Sequence, residues 1–116
     1  MTTILNLSID LILKSYLECA LWASELDECG IDEIAKISVN KSTEDIQKFL
    51  DLVSKDNDAM NELFGCDENY IGHNLWLSRN GHGAGFFDED KNKLQNYAKS
   101  LKEINVWVGG KTVYFK

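Results

Sequence analysis

Gly72-His73-Asn74-Leu75-Trp76-Leu77-Ser78-Arg79-Asn80-Gly81-His82-Gly83-Ala84-Gly85-Phe86-Phe87-Asp88 is the stretch on which the fold turns. Leu75 to Arg79 is rich in apolar and aromatic residues, Ala84-Gly85-Phe86-Phe87 is a second such run, and Asn80-Gly81-His82-Gly83 separates them. Asn-Gly tolerates positive φ at both positions and is the strongest short-range hairpin signal, so the stretch reads as two strands joined by a glycine-rich turn. With a period of two along the first strand, Trp76 and Ser78 face one side while Leu75, Leu77 and Arg79 face the other.

Upstream the periodicity is helical. Ser8 is a plausible N-cap for a helix over about 8–25, whose apolar face is Ile9, Ile12, Leu13, Tyr16, Leu17 and Ala20. Gly30 suits its C-terminal turn, and a short piece from Asp32 to Ile37 follows. Ser42 or Thr43 is expected to cap a second helix with Asp45 in its first turn, where the dipole favours a negative charge. Ile46, Phe49, Leu50 and Val53 form its buried face, which continues through Met60, Leu63 and Phe64 after a weak point at Asp56-Asn57-Asp58. Downstream of the hairpin, Leu94, Tyr97, Ala98, Leu101 and Ile104 place a third helix at about 91–103. Val106-Trp107-Val108, Gly109-Gly110 and Lys111 to Phe115 make a closing hairpin. The expected architecture is one α+β domain over 1–116, order ααββαββ, with N-terminal helices packed on a small antiparallel sheet.

The 116 residues include 12 Lys plus Arg against 19 Asp plus Glu, a net charge of −7, and no proline. That balance argues against direct binding to a nucleic-acid backbone, whose phosphates need a surplus of cations. The charge is unevenly spread: residues 24–70 carry thirteen acids against four lysines, a net of −9, whereas 71–116 has a net of +3. Asp51, Asp56, Asp58 and Glu62 are the candidate acidic surface for a basic partner. Asp10 and Lys14 interrupt the apolar start well short of the about 20 residues a membrane span requires, so no membrane association is expected. Three cysteines without close pairing suit a reducing cytoplasm.

The hairpin supplies the candidate binding residues His73, Trp76, Arg79, Asn80, His82 and Asp88. Arg79 offers a planar five-donor fork and each histidine a switchable donor or acceptor, which suits a carboxylate, a phosphate or a peptide backbone. The competing reading makes the segment a folding device: glycines for turn geometry, Trp76 and Phe86 in the core, and Arg79 paired with Asp88 across the strands. Catalysis has less support. The glycine-rich run Gly81 to Gly85 lies in a turn, not between a strand and a helix, so no dinucleotide fingerprint is present. Cys66, His73 and His82 lack the spacing of a zinc site, and neither metal nor cofactor is expected.

The same segment resembles a pattern in a family of small, mostly uncharacterised phage and plasmid proteins, roughly Gly-His-Asp-Phe-Trp-Leu-Thr-Arg-Asn-Gly-His-Gly-Ala-Gly-Phe-Trp-Asp-Arg, over about 18 positions. Ala20-Leu21-Trp22 and the final Val106-Trp107-Val108-Gly109 through Val113-Tyr114 are similar to the family's first helix and closing strands. Asn74, Leu75, Phe87 and Glu89 depart from the pattern. The resemblance implies a mobile-element accessory protein of the bacterial cytoplasm. By analogy with other small acidic proteins of that origin, it would act by protein–protein binding as an inhibitor of a host or immune-system protein. The alternative is a small enzyme or ligand-binding domain centred on His73, Arg79, Asn80 and His82.

Overall fold

Asp67 begins the element that organises the molecule: its side chain accepts the Tyr70 N–H at 2.8 Å and caps an α-helix running from Glu68 to Arg79. The computed structural model describes residues 7–26, 28–81, 85–86 and 90–116. Among these the order is α1 (Ile9–Ala23), a 3-10 turn (Ile31–Glu33), α2 (Lys36–Ser54), α3 (Asn57–Leu63), α4 (Glu68–Arg79), α5 (Asn92–Ser100), β1 (Val106–Gly109) and β2 (Thr112–Phe115). The α+β class stands, but the order ααββαββ does not. Leu75 to Arg79, expected as a strand, is the last part of α4. Ala84 and Phe87 lie outside the described residues, and Gly85 and Phe86 between them are not in a strand.

The physical reason lies in burial. Ile71, Gly72, Leu75, Trp76, Leu77, Ser78 and Arg79 are all buried, because α4 is surrounded by other elements. A helix buried on nearly every side shows a continuous apolar run, which periodicity alone cannot distinguish from a buried strand. Asn80-Gly81 also serves a different end from the one expected. Asn80 is the C-cap of α4 and Gly81 follows at φ +66, the left-handed position that closes a helix as readily as it turns a hairpin.

Helix α4 lies along α1, and Gly72 marks the closest approach. A Cβ there would collide with the Ile12 carbonyl oxygen and stand 2.8 Å from both Ser15 Cβ and Tyr16 N. Ser15 Oγ donates to the Asn69 carbonyl at 2.6 Å, and the Ser8 N–H donates to Glu68 Oε2 at 3.0 Å, fixing the register of the two helices. Ser8 also caps α1, accepting the Leu11 N–H. Helix α2 starts six residues before the expected Ser42 cap, and Ser42 and Thr43 instead donate back to the Ser38 and Val39 carbonyls inside it. Its apolar face, Ile46, Phe49, Leu50 and Val53, is buried as the spacing predicts. The weak point at Asp56 is the break between α2 and α3.

The closing hairpin has the expected pairing, with Val106 opposite Phe115 and Val108 opposite Val113. One side of β2 is fastened to the entry of α2: the Ala35 N–H donates to the Val113 carbonyl at 2.7 Å, and the Phe115 N–H to Ser38 Oγ at 2.9 Å. Phe115 and Tyr16 both pack on Trp76, with ring centroids 5.3 Å away in each case, so helices and hairpin share one core.

Candidate functional site

Arg79, the sole arginine of the chain, ends α4 with its side chain pointing inward. It is 4% exposed, and four of its five N–H donors are spent inside the protein. Nη1 meets Asp45 Oδ2 at 2.7 Å and Tyr16 Oη at 2.9 Å, Nε meets the Lys102 carbonyl at 2.8 Å, and Nη2 meets the Leu101 carbonyl at 2.8 Å. The guanidinium therefore ties α1, α2, α4 and the end of α5 together. Its planar fork is turned on the protein's own groups, with Nη1 alone meeting the Asp45 carboxylate. Burial pushes the Tyr16 phenol up to about 12, against the opposing pull of Arg79.

The other residues of the motif are similarly placed. Trp76 is buried, and its Nε1 has no hydrogen-bond partner among the described residues. Asn80 Oδ1 accepts the Ile104 N–H at 2.8 Å while its Nδ2 donates to the Trp76 carbonyl, so it joins the end of α4 to the strand entry. Ser78 Oγ accepts the Phe86 N–H at 3.0 Å. At φ +105, Gly85 lies so close to Ser78 Oγ that a Cβ would overlap it. The chain thus returns across α4 and drives Phe86 into the core, stacked on Phe49 at 5.7 Å with rings 8° from parallel.

His73 is half-buried on the far side of α4 from Arg79: six residues along a helix correspond to about 9 Å of rise and roughly 240° of rotation. Its ring lies against Trp22, which is 60% exposed, at a centroid distance of 5.8 Å. His73 and Arg79 do not converge, so the expected cluster at one end of a sheet is not formed by them. His82 and Asp88, and with them the expected Arg79–Asp88 pair, lie outside the described residues. Among the described residues no group of three or more His, Cys, Asp or Glu side chains is placed to hold a metal ion.

The acidic candidates divide into two kinds. Asp51 and Asp58 are exposed. Asp56 caps α3 through the Asp58 and Ala59 N–H groups, accepts the Tyr97 hydroxyl at 2.6 Å and stands 3.6 Å from Lys93 Nζ. The Tyr97 hydrogen bond, with the Ala59 N–H, holds its carboxyl below the usual carboxylate value. Glu62 accepts the Lys93 and Leu94 N–H groups at 3.2 and 3.0 Å and so caps α5 from α3. Half of the expected acidic surface therefore fastens helices.

A different surface is left open. Between the first turn of α2 and the outward face of the hairpin runs a groove of about 500 Å³, lined by Ile37, Lys41, Ile104, Trp107, Tyr114 and Lys116 among others. Ile37 is 74% exposed and Trp107 46% exposed, and Trp107 stacks on Tyr114 with centroids 4.4 Å apart. The sequence carried one signal for it. Val106-Trp107-Val108 is apolar on both faces of a strand, although a single layer of helices can cover only one. No helix among the described residues is long and apolar enough to cross a membrane. Comparison with protein-family models, with curated proteins and with solved structures returned no match to the chain.

Proposed function

We propose that the protein acts by binding another protein, with the groove between α2 and the closing hairpin as its contact surface. The observation that carries this reading is the juxtaposition of Ile37, Trp107 and Tyr114, large apolar side chains held at the surface around one concavity. Lys116 and Lys41, the latter already paired with Asp45 at 2.7 Å, flank that concavity, so the occupant is an apolar protein segment that can bring a carboxylate to Lys116. Arg79, the strongest candidate of a catalytic or ligand-binding reading, has its donors committed inside the fold. The resemblance of the 72–88 segment to phage and plasmid proteins supports a host or immune-system protein of the bacterial cytoplasm as the partner, and an accessory, inhibitory role.

The test is retention of host proteins on the immobilised chain, compared among Ile37→Glu, Trp107→Ala and the paired charge reversal Asp51→Lys with Asp58→Lys. A partner lost on Ile37→Glu and Trp107→Ala, kept on charge reversal and weakened by salt, is the expected result. A partner that ignores Ile37→Glu and is lost on reversal of Asp51 and Asp58 would move the contact to the acidic middle and end the groove reading.

A further inference from the structure

The ladder between β1 and β2 decides which backbone groups each strand turns outward. Asn105 and Lys116 exchange both of their N–H to carbonyl bonds, each at 2.7 Å, and the pairs that follow are Val106 with Phe115, Trp107 with Tyr114 and Val108 with Val113. Bonded and non-bonded pairs alternate in an antiparallel ladder. Asn105, Trp107 and Gly109 therefore point their N–H and C=O groups at β2, while Val106 and Val108 point theirs away. On β2 two of the equivalent outward groups are taken, Val113 O by the Ala35 N–H and Phe115 N–H by Ser38 Oγ. Along β1 no described residue bonds the N–H or C=O of Val106 or Val108. Nor does the sequence protect that edge: Asn105 to Gly110 contains no charge and no proline, and Trp107 and Val108 are both about half exposed.

We propose that a second copy of this chain occupies the open edge, the two β1 strands running antiparallel about a two-fold axis through Trp107. In that register Val106 of each copy bonds Val108 of the other, and the hairpins fuse into a four-stranded sheet ordered β2-β1-β1-β2. Such an interface is isologous and closes on itself. Trp107 meets Trp107 of the second copy as a directly opposed, non-bonded pair, on the face where each already stacks on its own Tyr114. Charge complementarity in this register favours a copy of this chain over an unrelated strand. The same register brings the exposed Lys111 at the turn of one hairpin toward the exposed Glu103 that precedes β1 in the other, twice by symmetry. A four-residue strand buries less than the roughly 800 Å² per partner of a standard interface, so the dimer forms reversibly with concentration. The pairing uses the edge of the sheet and goes beyond the groove reading without resting on it.

Sedimentation equilibrium from micromolar to millimolar protein tests this. The mass should rise from 13.2 kDa toward twice that value. Val108→Pro deletes an outward N–H and spares the Trp107 and Gly109 N–H groups that pair with β2, so this variant should remain at the monomer mass with unchanged circular dichroism. Trp107→Cys, in a chain with Cys29 and Cys66 replaced by alanine, reads the register directly. Opposed non-bonded residues lie about 4.5 Å apart at Cα, within disulfide reach, so mild oxidation should link the copies at position 107. Thr112→Cys on the far strand should not link them. Ile37→Glu, which tests the groove, should leave dimerisation unchanged. A monomer at every concentration, a dimer indifferent to Val108→Pro, or linkage at 112 and not at 107 would each overturn the proposal.

Discussion

Asp45 on α2 and Arg79 at the end of α4 form an ion pair 2.7 Å long, and each residue is only 4% exposed. Attraction across a dry interior is offset by the desolvation of both charges, so the pair specifies which helices meet more than it adds net stability. Removing one partner is another matter, because the remaining charge stays buried.

Arg79→Ala should therefore destabilise the fold by about 3–5 kcal/mol, with the half-exposed Lys41 left as the only cation on Asp45 among the described residues. Arg79→Lys should recover little of this, since a single ammonium cannot serve Asp45, Tyr16 and the Leu101 and Lys102 carbonyls together. Urea unfolding of the three proteins measures both effects. A loss below about 1 kcal/mol for Arg79→Ala would contradict the buried network.

Gly72→Ala adds one methyl group at the crossing of α1 and α4, against the Ile12 carbonyl and Tyr16 N. Backbone on the far side cannot swing aside as a side chain could, so overpacking should outweigh the gain in helix propensity and cost about 1–3 kcal/mol. Thermal unfolding should show a lowered Tm, whereas a raised Tm would mean the helices are farther apart than described.

Stability should fall at both ends of the pH scale. At the acid end, the Tyr97 hydrogen bond holds the Asp56 carboxyl below its usual value. The unfolded chain then takes up a proton first, and the contribution of Asp56, present above about pH 4, is lost as pH falls through the folded pKa. The Tm gap between the parent protein and Tyr97→Phe should shrink as pH falls below about 4. At the alkaline end, Tyr16 is pushed up to about 12 from the ordinary 10.0. The unfolded phenol ionises first there, so stability falls as pH rises from 10 toward 12. Phenolate absorbance should show one of the four tyrosines titrating last.

Cys19 is buried, its thiol is pushed up to about 12 by that burial, and its Sγ–H donates to the His73 carbonyl at 3.4 Å. It should resist a thiol reagent at pH 8 in the native protein and react only on unfolding, as the thiolate is the attacking species. Cys29 and Cys66, half-buried, should react first. Rapid native labelling of Cys19, read by mass spectrometry of its peptide, would refute the α1–α4 packing around it.

Much of the fold was legible where one face of an element meets water. Ser8 and the Ile12, Tyr16, Leu17 spacing give α1, and Gly109-Gly110 between Val108 and Lys111 gives the closing hairpin, because each pattern reports a boundary between core and solvent. Helix α4 was not legible, since Leu75-Trp76-Leu77 has no solvent face to set a period and Asn80-Gly81 suits a helix end as well as a hairpin. The candidate site suffered for the same reason. Arg79 and Asn80 read as a polar cluster only if their neighbours form a surface turn. Asp56 and Glu62 read as surface acids because nothing in sequence reveals that their partners, Tyr97 and the Leu94 N–H, arrive from a distant helix. Ile37 lies outside the helix expected from Ser42, and its place beside Trp107 and Tyr114 follows from the earlier start of α2 at Lys36.

The contacts between α1 and α4 join residues 54 to 60 positions apart, through Ser15 to Asn69, Cys19 to His73 and Ser8 to Glu68. During synthesis the first helix therefore leaves the ribosome with Ile12, Tyr16, Leu17 and Ala20 bare, and waits for the segment beyond Asp67 before it can bury them. That interval lasts a few seconds at a translation speed of about 5–20 residues per second. The helix from Glu68 to Arg79, which carries Gly72, Trp76 and Arg79, is thus the element whose arrival first lets α1 bury its apolar face, before α5 and the hairpin complete the core.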